Sequence, residues 1–347
     1  VLTGTAQHTA QLGMDWESSR DHEFMAYPNG FGNLDLATYN LPSASYATWS
    51  EPAAPDEADQ MNNTYRSRTL YVQDQIDIGA WHLLASLRHA DIRVSDVSVV
   101  FGQNNVSENR KFTPRFGAVY DWTGQISTFA GVSRGMRVPL YSIFSTPPKP
   151  ETSLQKEIGL RLKDLGGVSG SLVWFDLARE NVAVGDPANP GKSRQTGLQR
   201  SRGVEADLRW QATPELAVLA QATRMKARTE EDTNAVNVGK ALFNVPESSA
   251  RIAGRYEWLQ GPAAGLSAGL GLTRHGRLAG DTANTFFTQA ATLWDAQLGY
   301  KVDGARYALG VSNLTDRQYF VPSTYFGGGQ VIPARPRTFQ ASANFSF

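Results

Sequence analysis

From Thr338 the chain alternates strictly to its last residue. Phe339, Ala341, Ala343, Phe345 and Phe347 occupy one row, and Thr338, Gln340, Ser342, Asn344 and Ser346 the other. A period of two sends successive side chains to opposite faces of a strand, so this segment predicts a strand with one apolar and one polar face. The pattern recurs upstream. In KFTPRFGAVYDW, Phe112, Pro114, Phe116, Ala118, Tyr120 and Trp122 oppose Lys111, Thr113, Arg115 and Asp121. In RGVEADLRW, Val204, Ala206, Leu208 and Trp210 oppose Glu205, Asp207 and Arg209. In ARIAGRYEW, Ile252, Gly254, Tyr256 and Trp258 oppose Arg251, Arg255 and Glu257. About 14 such segments of about 10 residues follow one another, a length that suits strands crossing a bilayer at a tilt. Two places break the rule. Asp74 falls on the row of Leu70, Val72, Ile76 and Ile78, and the segment from Ile126 to Met136 alternates weakly.

The connections alternate in length. Short ones fall at Gly79-Ala80, Thr123-Gly124, Asp164 to Gly167, Ala212 to Pro214, Leu259 to Ala264 and Val302 to Gly304. Long ones fall near 19–63, 94–110, 137–153, 180–198, 229–245, 277–288 and 317–334. A soluble sandwich has no need of this alternation, whereas an outer-membrane barrel pairs short periplasmic turns with long outer loops. The expected fold is therefore all-β: a transmembrane antiparallel β-barrel whose apolar row faces lipid and whose polar row faces a wet lumen.

Aromatic placement fits this picture. Trp81 follows a short turn, and Trp122, Trp210, Trp258 and Tyr300 precede one. Amphipathic rings belong where lipid tails meet head groups, so these five are candidates for a membrane girdle, with core packing at strand ends as the alternative.

Composition then removes other classes. The 347 residues carry a formal net charge of zero, which gives no nucleic-acid footprint. There is no cysteine, hence no disulfide framework and no thiolate metal site. No apolar run approaches the roughly 18 residues of a spanning helix. The opening VLTGTAQHTAQ has neither a basic n-region nor an apolar h-region and reads as the interior of a longer sequence. The histidines His8, His22, His82, His89 and His275 form no catalytic motif, and His82 and His89 point to opposite faces of one strand. Glu157, Arg161, Glu205, Asp207, Arg251 and Arg255 sit on the expected lumen row as solvated or mutually paired wall charges. The chain is read as a non-enzyme with no cofactor and no resident metal.

The stretch GVSNLTDRQYF, followed by PARPRTFQASANFSF, resembles the end of the TonB-dependent outer-membrane siderophore receptors. In that family an Asn-Leu-x-Asp-x-x-Tyr segment closes the penultimate strand, here Asn313, Leu314, Asp316 and Tyr319. A Pro-Arg-Thr segment then opens a last strand ending in Phe, here Pro336, Arg337 and Thr338, then Phe345 and Phe347. YVQDQI (71–76), PETSLQKEIGLR (150–161) and SRGVEADLRW (201–210) also look like family segments.

The resemblance implies an outer-membrane receptor of a Gram-negative bacterium that takes up a ferric siderophore and is energised through TonB. The alternatives are a passive porin or a truncated, non-transporting fragment. It implies a barrel of about 22 strands, so residues 1–347 are expected to be its C-terminal part, with a plug domain and the first strands missing. Implied partners are the siderophore, with iron only as its bound cargo, the TonB complex through the missing N-terminal part, the barrel-assembly machinery and outer-membrane lipid. The assembly signal would be Gln340, Phe345 and Phe347, with Ser342 where glycine is usual. Family ligand sites use aromatics and arginines on loops and the upper wall. Candidates are Tyr27, Phe31, Tyr39, Tyr46 and Trp49 in the first long loop, with Tyr141, Phe144, Tyr325 and Phe326 in later ones. Packing of each loop by its own rings is the alternative.

Overall fold

The computed structural model describes residues 2–3, 5–26, 58–98, 103–138, 144–146, 148–190, 192–323 and 329–345. Fifteen strands form one antiparallel sheet. After the two-residue β1 (Leu2–Thr3) come β2 (Ala6–Ala26), β3 (Ala58–Ile78), β4 (Trp81–Ser98), β5 (Gln103–Asp121), β6 (Ile126–Arg137) and β7 (Glu151–Leu165). Then follow β8 (Val168–Gly185), β9 (Ser193–Gln211), β10 (Leu216–Glu231), β11 (Ser248–Glu257), β12 (Leu266–His275), β13 (Ala291–Val302) and β14 (Ala305–Ser312). A separate small hairpin, β15 (Phe320–Pro322) with β16 (Val331–Pro333), precedes the last strand, β17 (Thr338–Phe345), which pairs with β14. Each strand lies beside its sequence neighbours, so the sheet is a meander. Among the described residues β1 and β17 are its edges.

Register lines up the two rows across the sheet. Leu160 pairs with Leu172, and Leu172 with Ala206. Leu272 pairs with Trp294, and Leu298 with Leu309. This row stays bare: Leu12 is 81% exposed, Leu298 60%, Phe116 54% and Leu172 53%. A contiguous apolar surface of this extent faces something other than water. The opposite row carries Gln155, Glu157 and Arg161 on β7 and Glu205 and Asp207 on β9, side by side with their cross-strand partners. The weakly alternating segment from Ile126 is β6, held on both sides by β5 and β7.

The strands run further than the apolar alternation suggests. Most of the expected loop at 94–110 is strand, since β4 and β5 pair up to Ser98 and Gln103. Likewise β2 and β3 pair up to Ala26 and Ala58, inside the expected loop at 19–63. The reason is physical: a strand needs one apolar row only while it crosses lipid. Above the bilayer both faces meet water, the apolar alternation stops, and backbone pairing continues.

The short turns are made by residues that accept positive φ. At Gly166-Gly167 φ is 61° and 79°, and at Asp303-Gly304 it is 31° and 75°, the mirror-type turns that match strand twist. A Cβ on Gly167 would lie 2.5 Å from the Gln211 carbonyl oxygen.

The chain crosses from β14 to β17 over a polar knot. Asn313, buried and at φ 52°, donates from Nδ2 to the carbonyls of Arg317 and Arg335 at 2.9 and 3.3 Å. Its Oδ1 accepts from the Arg317 N–H at 2.8 Å. Asp316 accepts from the Arg337 N–H at 2.9 Å, fixing the start of the last strand.

Two outcomes are expected for protein reconstituted in lipid vesicles and unfolded in urea. Leu172→Arg, mid-height on the apolar row, should lose about 2–4 kcal/mol, whereas Ser171→Arg on the polar row should change stability by under about 0.5 kcal/mol. Asn313→Ala should cost about 1–3 kcal/mol, because it removes the three hydrogen bonds made by this buried side chain.

Candidate ligand vestibule and lumen wall

The polar row lines a concave wall that changes character with height. In its lower half its charges are neutralised in place. His82 sits between Asp77 and Asp121, at 2.5 and 3.1 Å. Arg251 reaches Asp295 at 3.3 Å and also donates to Thr273. Arg255 pairs with Glu257 at 3.0 Å. Asp207 accepts from the Gln221 amide, and Arg161 lies over the Phe129 ring at 5.3 Å. A hollow of about 980 Å³ runs up the wall between β3 and β7, lined by Gln75, Arg88, Arg115, Gln155 and Glu157 among others.

Higher up the wall becomes acidic. Asp15, Glu17, Asp21 and Glu23 share the inner row of β2, and register places Asp21 beside Asn63 and Asn63 beside Asp96. β3 climbs from Ile78 at the short turn to Asn63, roughly 35–40 Å of height at ~3.3 Å per residue and a tilt near 40°. The upper part of this row, Asp21 and Glu23, therefore stands above an apolar band about 25 Å tall, while Asp15 and Glu17 lie at its upper boundary. A second hollow of about 290 Å³ is lined by Glu17, Ser19, Asp21, Asn63, Tyr65 and Asp96. Asn63 is 8% exposed, and neither its Nδ2 nor its Oδ1 has a hydrogen-bond partner. The arginines of the same two strands, Arg20, Arg66 and Arg68, occupy the outward row. Sequence reasoning placed this region largely in loops. The usable signal was present in DWESSRDHE, where acids recur at every second position but one.

The positions singled out from sequence divide into three groups. Tyr27, Phe31, Tyr39, Tyr46, Trp49, Tyr141, Tyr325, Phe326 and Phe347 lie outside the described residues. Phe144 is buried, its backbone bridged to Ser193, so its ring is covered where the loop crosses β9. Trp81, Trp122, Trp210, Trp258 and Tyr300 all stand exposed on the outward row beside the short turns. Trp81 and Trp122 each pack on Tyr120 at 4.8 Å, and Trp258 on Tyr256 at 4.9 Å. Gln340 and Phe345 lie on opposite faces of β17, both exposed. Sequence reasoning did not single out a second set of exposed aromatics higher on the outward row, Trp16, Phe112 and Trp174.

A family profile described as TonB dependent receptor-like, beta-barrel, matches residues 2–314. The chain belongs to that family. Proteins of the TonB-dependent receptor family reside in the Gram-negative outer membrane, so the bare apolar row is the surface that meets lipid. The chain is similar to the metal-pseudopaline receptor CntO of Pseudomonas aeruginosa, 27% identical over 364 residues that cover 99% of this chain and 49% of that protein. It is 25% identical over 331 residues to the ferrichrome outer membrane transporter/phage receptor of Escherichia coli K12, covering 91% of this chain and 43% of that one. It thus spans about half the length of the curated relatives it matches. The closed-form crystal structure of the ferric-catecholate import receptor Fiu from E. coli K12 superposes with a TM-score of 0.82 at 19% identity, covering 100% of this chain and 53% of that one. The unliganded ferric citrate transporter FecA gives 0.80 at 18% identity, over 100% and 52%. At these identities the likeness is one of fold.

At the rim of this TonB-dependent receptor wall the carboxylate of Asp186 titrates low. Asp186, buried at the turn above β8, accepts from the Ala188 N–H at 3.0 Å and the Asn189 amide at 2.9 Å. The Ser145 side chain foremost, then the Asn189 amide, holds its carboxyl below the ordinary range. Stabilisation from such a group is present above its unfolded value near 3.9 and is lost as pH falls through the lower folded value. Cleavage within 186–192 by an acid-active protease should therefore rise as pH falls from about 5 to 2. In Asp186→Asn it should be high already at the upper end and nearly independent of pH.

Proposed function

We propose that this chain is the C-terminal wall of a receptor that imports a ferric siderophore across the outer membrane, energised through TonB. The observation that carries this reading is the match of one receptor family across almost the whole two-faced sheet. The names of the relatives support it: receptors for metal-pseudopaline, ferrichrome and ferrioxamine. In the working receptor further strands pair with the two free sheet edges, since open edges in lipid leave backbone groups unpaired. A plug domain then fills the polar lumen and carries the contact to TonB. Iron enters only as chelated cargo and no bond is made or broken in it. The girdle Trp81, Trp122, Trp210, Trp258 and Tyr300 rests at the periplasmic lipid–water boundary. Gln340, Phe345 and Phe347 form the signal by which the assembly machinery handles the last strand. The loop aromatics Tyr27, Phe31, Tyr39, Tyr46, Trp49, Tyr141, Tyr325 and Phe326 offer rigid faces to the chelate from above.

The test is uptake of radio-iron from a panel of ferric chelates by cells that carry this receptor and no other. Uptake is expected to saturate and to stop when the TonB protein is deleted. Uptake that grows linearly with concentration and survives that deletion would make the protein a passive pore and overturn the reading.

A further inference from the structure

The inner row of β2 carries charge of one sign, whereas further round the same wall Arg179 pairs with Glu151. Among the described residues Asp15, Glu17, Asp21 and Glu23 take part in no ion pair, although twelve such pairs form elsewhere. The arginines of β2 and β3 face outward; the nearest inward one, Arg88 of β4, donates to Thr69 beside Asp15 and so lies at the foot of the row, below Glu17 and Asp21. Lower on the same wall nearly every carboxylate has a cation or an amide beside it, so the acidic row is not a general habit of this lumen. An uncompensated row of carboxylates above a low-dielectric wall focuses field lines and concentrates cations in front of it.

Asn63 adds an independent indication. Its side chain lies between β2 and β4 in the hollow bounded by Glu17, Asp21 and Asp96, is more than nine-tenths buried, and has neither amide atom paired. A buried amide without partners costs free energy unless a polar group comes to meet it. The occupant is not a bare ion. Among the described residues no three acids or histidines converge closely enough to hold a metal. Neighbouring strands lie about 4.8 Å apart, so the backbones at Asp21 and Asp96 stand about 10 Å from one another across Asn63. Charge spread along a wall suits a bulky ligand with a positive group projecting from it.

We propose that the substrate is a ferric chelate of net positive charge, whose free ammonium is received by Glu17 and Asp21 while Asn63 hydrogen-bonds its amide or hydroxamate backbone. This rests on the transport reading above and narrows it, since anionic chelates are disfavoured by the same wall.

The experiment measures equilibrium binding to the complete receptor purified from outer membranes. Three probes are used: a ferric tris-hydroxamate bearing one primary ammonium, its neutral N-acetylated counterpart, and a trianionic ferric tris-catecholate. The ammonium chelate is expected to bind about tenfold or more tightly than the acetylated one, with the catecholate weakest. The double variant Glu17→Gln, Asp21→Asn keeps side-chain size and should erase the ammonium advantage while leaving the acetylated chelate unchanged. Equal or tighter binding of the catecholate would overturn the proposal. So would an ammonium advantage that survives in the double variant, or an equal loss for all three probes, which marks a structural role. If none of the probes binds while TonB-dependent iron uptake from another chelate persists, the charge assignment falls and the transport reading stands. If TonB-dependent uptake is absent altogether, both fall.

Discussion

Every structural choice in this chain descends from the backbone amide. In hydrocarbon an unpaired N–H or C=O costs several kcal/mol, and no water is at hand to satisfy it. The sheet answers with a continuous ladder in which each of the long strands from β3 to β14 is bonded on both sides. Once pairing is fixed, the pleat allows side chains two directions, lipid or lumen. The apolar row, the polar row and the mirror-type turns are consequences of that division.

The same logic explains which parts were legible from sequence. Within the lipid band alternation is forced, and strands such as β9, β11 and β17 could be read residue by residue from RGVEADLRW, ARIAGRYEW and RTFQASANFSF. Above it the force disappears. β4 and β5 continue through Asp96 and Asn104 with polar residues on both faces, a pattern indistinguishable from a loop when only hydrophobicity is weighed. Asp74, which broke the outward row, meets His8 at 2.7 Å on that same face, so the exception is a paired one. The closing motif Asn313-Leu314-x-Asp316 was recognisable as a family resemblance. Its physical basis is a side-chain knot joining residues far apart in the loop, which no local rule reveals.

The candidate site was the less legible part, because its residues come from strands that sequence reasoning shortened. An acid at nearly every second position carries the same geometric information as an apolar residue at every second position. It says that one face is shared, and the strand pairing says which strands share it. The outward row of β2 and β3 at comparable height carries the opposite sign, with Arg20, Arg66 and Arg68, and further round it holds ion pairs, Arg93–Glu108, Arg110–Asp91 and the bidentate Arg200–Asp176 pair joined by Arg202. Sorting by face, not net charge, is therefore what describes this protein; the neutral total conceals two unlike surfaces.

The meander order has a consequence for how such a wall comes to exist. Apart from the crossing between β14 and β17, each strand touches only the strand made just before it and the strand made just after. Sequence separations within the ladder stay short, the arrangement that costs least chain entropy as structure accumulates. Hairpins can be laid down one beside another, each templated by the edge already formed. The same arithmetic makes the two-strand hairpin the natural unit of enlargement: adding or removing one restores every neighbour's register and returns the chain to the same side of the membrane, whereas a single strand would reverse the orientation of everything beyond it.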